Sequence, residues 1–292
     1  MDEADLPALY RAADKKAAER QSAFLRFQTI ELVALVGAAA LAEPSWGNGD
    51  LNISALVSVV LLVGAMVTRL YLASTKPEQA WYDARAVAES TKTLAWQFAV
   101  GGEAFPLVDP ESKSRFLARI GELAARFPAL DIPAGPGPDS QITPKMASVR
   151  DSLLSERRRI YRDARVLDQQ DWYSRKADFN RKRARWWGRG LLLAEASAAA
   201  LGLLRGIGLF DVDWSGLLAA LAAAVLAWRQ TKQYETLAES YAVTSHDVAA
   251  LASKLDLCAT ESDWATAVHD SEAAFSREHT VWLARRQATP VT

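Results

Sequence analysis

Four stretches of the chain are apolar enough to leave water: residues 27–42, 51–72, 190–204 and 214–228. They fall into two close pairs, joined by the short segments EPSWGNGD and RGIGLFDVD. Crossing the hydrocarbon takes about 20 residues of helix, and roughly 17 suffice. The second stretch meets that length, and the other three are short or interrupted. Because short apolar helices come in pairs across tight linkers, the pattern predicts two transmembrane helical hairpins, four membrane helices in all.

Outside the hairpins the period changes. Tyr234, Leu237, Tyr241, Thr244, Val248, Leu251, Leu255 and Cys258 recur at alternating spacings of three and four. That is a heptad seam, and it predicts a long helix whose stripe packs in a coiled-coil-like bundle or against another copy of the chain. A second long helix is expected from about Ala147 into the second hairpin, with Val149, Leu153, Ile160, Ala164 and Leu167 as its early stripe. Trp172, Phe179, Trp186 and Leu193 follow in seven-residue steps, which predicts an unbroken helix there. Pro77 followed by Glu78 suits the first turn of a new helix after the first hairpin. GGEAFPLVDP and FPALDIPAGPGPDSQITP are rich in Pro and Gly and read as linkers around a short helix from Glu111 to Arg126. The resulting organisation is a hairpin domain at 1–100, a linker region at 101–146 and a second hairpin domain at 147–292. The fold class is an all-α membrane protein whose hairpins continue into long cytoplasmic helices.

Charge orients the hairpins. Lys15, Lys16, Arg20 and Arg26 precede the first and Arg69 and Lys76 close it, whereas its loop holds only Glu43 and Asp50. Arg175, Lys176, Arg181, Lys182, Arg183, Arg185 and Arg189 precede the second, Arg229 and Lys232 follow it, and its loop holds Asp211 and Asp213, with Arg205 the exception. The positive-inside rule puts both termini in the cytoplasm, and Trp46, Trp186, Trp187, Trp214 and Trp228 fall where indoles favour the headgroup layer. The basic run 181–189 reads as a membrane anchor next to anionic lipid, and no nucleic-acid partner is expected. The acidic start MDEADLPALYRAADKK lacks signal-peptide order, so no cleavage is expected.

Half of the residues are apolar and 24% are charged, so strongly apolar and strongly charged blocks alternate along the chain. A single cysteine, Cys258, excludes an internal disulfide framework and reads as a buried small residue. The three histidines, His246, His269 and His279, have no metal-ligand spacing, and no catalytic or phosphate-loop motif is present, so neither an enzyme nor a cofactor is expected. Glu31 and Glu195 stand inside the first helix of each hairpin, where a carboxylate costs on the order of 2.5 kcal/mol at a helix centre. Two roles are open for them: reaching headgroups or a nearby arginine, or lining a pore together with Arg205. The alanine runs 194–200 and 219–224 allow close helix packing in lipid.

The halves read as a diverged repeat. An offset of 164 residues aligns Ala13-Asp14 with Ala177-Asp178 and Glu31 with Glu195, and Ala88-Glu89-Ser90 matches Ala238-Glu239-Ser240. The segments WYDARAVAESTKTLAWQFAVGG from Trp81, DQQDWYSRKADFN from Asp168 and SREHTVWLARR from Ser276 resemble the SLATT membrane effectors of bacteria, here in tandem. The resemblance implies an effector of a bacterial anti-phage conflict system in the inner membrane, pore-forming or disruptive, homo-oligomeric, and answering a cyclic oligonucleotide made by a neighbouring nucleotidyltransferase. Phosphates need cations and bases favour aromatic faces, which nominates Trp81, Tyr82, Arg85, Trp172, Tyr173, Arg175, Arg277, His279 and Trp282 for such a ligand. A non-conducting scaffold or signalling partner is the competing expectation.

Overall fold

The computed structural model describes residues 1–42, 52–132, 141–209 and 214–287, with side chains through Ser276. The described residues are mainly helical, with no strand among them: α1 Ala8–Ala42, α2 Ile53–Thr75, α3 Pro77–Val100, α4 Ser112–Arg126, α5 Pro144–Arg150, α6 Leu154–Tyr161, α7 Asp168–Gly206, α8 Trp214–Lys232, α9 Tyr234–Leu255 and α10 Glu261–Gln287. A π-helical turn, Arg162–Leu167, joins α6 to α7. The chain divides into two compact units. Unit 1 is Met1–Gln21, Glu78–Ala177 and Glu239–Thr292, and unit 2 is Ser22–Pro77 and Asp178–Ala238. The long helices α1 and α7 each contribute residues to both.

Unit 1 holds a core of the kind found in water-soluble domains. Val87, Ala88, Ala95, Trp96, Phe98 and Ala99 of α3 form its centre, with Leu9, Tyr10 and Ala13 of α1, Phe116 and Ile120 of α4, Val248 and Leu255 of α9, and Trp264 and Val268 of α10. Phe98, Phe105 and Phe116 meet pairwise at centroid distances of 4.7 to 5.9 Å, within the range that favours aromatic pairs. The expected helix between the Pro/Gly segments is α4, with Glu111 as its N-cap residue. Its apolar positions Phe116 and Ile120 are one turn apart and face the core.

Unit 2 packs the other way. Its buried residues are mostly small, among them Ala38, Ser54, Ser58, Ala65, Ala194 and Ala222, whereas Ile30, Val33, Leu56, Val60, Leu62, Val63, Val67 and Leu70 lie on its surface. Val60 keeps 69% of its surface exposed. Ser58 Oγ donates to the Ala38 carbonyl at 2.9 Å, and a Cβ at Gly37 would meet Leu61 Cδ1 at 3.2 Å, so small residues bring α1 and α2 together. Burying alanine and serine while exposing valine and leucine is unfavourable in water and natural in lipid, where large side chains gain nothing by turning inward.

Two helical stretches among the described residues are long and apolar enough to cross a membrane, α1 and the stretch that begins with α2. The four-helix expectation is met in that pair alone. The apolar runs of α7 and α8 fall short because they are brief and because Arg189, Glu195, Arg205, Arg229 and Lys232 bound or interrupt them. The loops carrying Trp46 and Asp211 lie outside the described residues.

Chain breaks refine the helical reading. Pro77 does open α3, after Lys76 in the left-handed conformation at φ 43°. The second hairpin has the same device without a proline: Gln233, at φ 50°, separates α8 from α9. The amides of both residues reach back to close the preceding helix, Lys76 to Leu72 O at 3.0 Å and Gln233 to Arg229 O at 2.8 Å. The long helix expected from Ala147 is interrupted at Asp151–Leu153. Val149 of the expected stripe is buried in the core, but Leu153 is 79% exposed, and beyond the break Arg157, Tyr161, Arg165 and Val166 are buried. Further on α7 is unbroken, but Phe179, Trp186 and Leu193 of the expected stripe are exposed, and Tyr173, Ala177, Asn180 and Ala184 form the inward face. The large residues of that stripe therefore lie opposite the face of α7 that packs.

Candidate functional site

The chemistry of unit 1 centres on charges at its core. Glu272 of α10 is fully buried and accepts from four groups: Tyr161 Oη at 3.0 Å, Arg165 Nε at 2.9 Å, Arg165 Nη2 at 2.7 Å and Thr93 Oγ1 at 2.9 Å. The pairing with Arg165 is a bidentate fork, the strongest geometry a guanidinium and a carboxylate offer. Phe275 completes the enclosure, its ring centroid 4.7 Å from the Arg165 guanidinium carbon. Burial works to lower the pKa of Arg165, but the charge and hydrogen bonds of Glu272 outweigh it, and the group is held above its ordinary value. Burial, then the charge of Glu272, pushes the Tyr161 phenol well above its usual range. Arg165 lies within the π-helical turn, and such turns gather at functional positions.

A second set of buried cations closes the C-terminal end of α3. Arg150 Nη1 donates to the carbonyls of Phe98 at 2.6 Å and Phe105 at 3.0 Å, and its Nη2 donates to that of Pro106 at 2.8 Å. Arg157 Nη1 and Trp264 Nε1 both donate to the carbonyl of Val100, each at 2.8 Å. The Phe98 and Val100 carbonyls are among those that the end of α3 leaves without helical partners, at the end where its dipole favours positive charge. Arg157 also pairs with Glu261. Sequence reading missed Glu272, Arg165, Arg157 and Arg150, although Trp264, Val268, Glu272 and Phe275 follow a helical spacing that marks Glu272 as inward-facing.

The nominated ligand residues divide into three groups. Arg85, Trp172 and Tyr173 gather around Tyr241, whose ring lies 5.3 Å from Trp172 and 5.7 Å from Tyr173 and which is within electrostatic reach of Arg85. Arg85 pairs with Asp14 at 3.1 Å and Glu89 at 2.5 Å. Trp81 and Tyr82 adjoin one another at 4.5 Å, with Tyr82 Oη donating to Glu78 at 3.0 Å, and Arg175 is exposed beside Asp171. The backbone of Arg277, His279 and Trp282 belongs to α10, and their side chains lie outside the described residues.

Among the membrane candidates, Glu31 is half-buried, with a buried Oε2 that has no hydrogen-bond partner among the described residues. Glu195 and Arg205 are exposed on α7. Along α9 the seam positions Tyr234, Thr244, Val248, Leu255 and Cys258 are buried, and Leu237, Tyr241 and Leu251 are half-buried. Val248, Leu255 and Cys258 belong to the core of unit 1.

Comparison with curated proteins and with solved structures returned no match. Family comparison did: residues 7–158 match the SMODS and SLOG-associating 2TM effector domain 3, and residues 161–282 match domain 1 of the same name. The boundary between the matches falls at Tyr161 and the π-helical turn. Residues of both meet in unit 1, through Thr93 with Glu272, Val100 with Trp264, and Glu103 N–H with the Ala265 carbonyl at 3.2 Å. With one match covering more than half its length, a second beside it and a hairpin packed for lipid, the chain belongs to the SLATT family of membrane-associated effector domains, in tandem.

Proposed function

We propose that this chain is the effector of a bacterial anti-phage system and permeabilises the inner membrane when a cyclic oligonucleotide, made by a partner nucleotidyltransferase, reaches its helical unit. The observation that carries the reading is the inverted packing of unit 2, because a helix pair with valine and leucine outward is stable only in lipid. The effector description of both matched domains supports the role. On this reading all four hairpin helices cross the bilayer, both termini are cytoplasmic, and several copies assemble, since one pair of hairpins encloses too little polar surface for a water path. Glu31 and Glu195 then line that path. The chain has no catalytic role and needs no cofactor beyond the signalling ligand. The group around Tyr241 is the ligand region we favour, with Arg85 exchanging its carboxylate partners for phosphate.

One observation favours a non-conducting scaffold instead: α2 carries no ionisable residue between Asn52 and Arg69, so along that length it offers a pore no charge. Membrane potential in cells that express the chain together with its nucleotidyltransferase separates the two. The effector reading predicts depolarisation that depends on the nucleotidyltransferase and is reduced by Glu31→Ala with Glu195→Ala; a steady potential in all cells would establish the scaffold.

A further inference from the structure

The two hairpins are closed at the same place by different chemistry. Five residues before each left-handed break stands an aromatic, Tyr71 before Lys76 and Trp228 before Gln233. Each meets an aromatic from the first helix of its hairpin: Tyr71 meets Phe27 at 4.5 Å, and Trp228 meets Trp187 at 6.4 Å. In the first hairpin the position one turn beyond the aromatic is Thr75, so the closure there is uncharged.

In the second hairpin the corresponding position is Lys232, whose Nζ lies 5.5 Å from the Trp228 ring centroid. One turn before Trp187 on α7 stands Arg183, exposed, with its guanidinium carbon 5.4 Å from the Phe179 ring centroid. The indole Nε1 of Trp187 and that of Trp228 are both buried without a hydrogen-bond partner among the described residues. Two orphaned donors at one spot are costly, since a buried N–H without an acceptor keeps its full desolvation penalty. The neighbouring Arg229 is already taken by Glu235 at 2.5 Å. Apart from Glu235, which Arg229 takes, the polar side chains named here are donors. What completes such a cluster is an anion with several oxygens, and at the foot of a membrane hairpin the abundant one is the phosphate of a lipid headgroup.

We propose that the base of the second hairpin is a discrete binding site for the phosphate of an anionic phospholipid, with Trp187 and Trp228 as neutral donors and Lys232 as the cation. Lys232, a flexible side chain lying over the Trp228 ring, swings outward to admit the phosphate and then pairs with it. The site belongs to the second hairpin alone, the one whose helices are least apolar. A bound lipid therefore anchors the hairpin that the hydrophobic effect holds least firmly. The inference rests on the membrane placement of unit 2 and does not require that the protein conduct.

Native mass spectrometry of the full chain in detergent, with phosphatidylglycerol or phosphatidylcholine added, tests it. The site predicts at least tenfold preferential retention of phosphatidylglycerol. Lys232→Gln, or Trp187→Phe with Trp228→Phe, which keeps the rings and removes both donors, reduces retention to the phosphatidylcholine level, while Trp186→Phe leaves it unchanged. Helical circular dichroism confirms that each variant is folded, and Lys232→Gln decides alone if the double variant is not. Equal retention of both lipids, or undiminished retention in Lys232→Gln, overturns the proposal. Displacement of phosphatidylglycerol by millimolar inorganic phosphate or a cyclic dinucleotide also overturns it, by assigning the donors to a soluble anion. Lipid-selective binding without membrane leakage would sink the effector reading and leave the lipid site standing.

Discussion

Glu272 shows how much one buried charge decides. It takes all the hydrogen bonds its carboxylate needs from Tyr161, Arg165 and Thr93, and without it the Arg165 guanidinium is left charged in a closed core. Breaking a buried pair from one side costs about 3–5 kcal/mol. Glu272→Gln is therefore expected to lower the thermal unfolding temperature of the detergent-solubilised protein markedly. Glu156→Gln, which removes the exposed partner of Arg159, leaves it unchanged. Equal shifts for the two variants would show that the network is not what holds unit 1 together. Tyr161 adds a pH dependence whose sign follows from its environment. Burial and Glu272 keep the phenol protonated in the folded protein above its ordinary pKa of 10.0, while the unfolded chain releases that proton. Stability from this group is thus fully present below about pH 10 and declines as pH rises beyond it. An unfolding midpoint flat from pH 10 to 11.5 would contradict this. The carboxylate's role was legible only in the spacing Trp264, Val268, Glu272, Phe275, and a charge at an apolar register position is the signal a hydrophobic scan discards.

At the scale of elements, the sequence is most informative where a residue type leaves one backbone option. Pro77 announces the start of α3, the Pro and Gly clusters bracket α4, and the spacing from Thr244 to Cys258 marks the buried side of α9. Gln233 announces nothing, because glutamine has no preference for positive φ, and the break appears only once the chain is folded. A non-glycine residue in that conformation is strained by about 1 kcal/mol or more. Gln233→Gly is accordingly expected to stabilise the protein by about 1 kcal/mol in denaturant unfolding, and a destabilised variant would mean that the Gln233 side chain holds the break in place. The outward turn of Phe179, Trp186 and Leu193 was hidden for a different reason. Periodicity locates a stripe and is silent about whether it is the side that packs; on α7 the packed side is Tyr173, Ala177, Asn180 and Ala184.

The whole molecule interleaves its two matched domains. Each supplies helices to a unit with a polar-faced, aromatic core and to a unit whose large apolar residues face outward, so neither unit is the product of one domain alone. The π-helical turn at the boundary of the two matches carries Arg165, and Glu272 grips it from the far end of the second match. Both partners of that pair lie in the second match, and the bond from Thr93 to Glu272 ties them to the first. The group around Tyr241 was only partly legible: aromatic and basic motifs pointed to Arg85, Trp172 and Tyr173, and the central Tyr241 came from the heptad seam, read for packing alone. The measurement that bears most directly on the account is dye release from liposomes containing the purified full chain, with and without a panel of cyclic oligonucleotides. Release that depends on one of those ligands, and that falls when Glu31 and Glu195 are replaced by alanine, is the predicted result; intact vesicles under every condition, with the protein shown to be inserted, would contradict it.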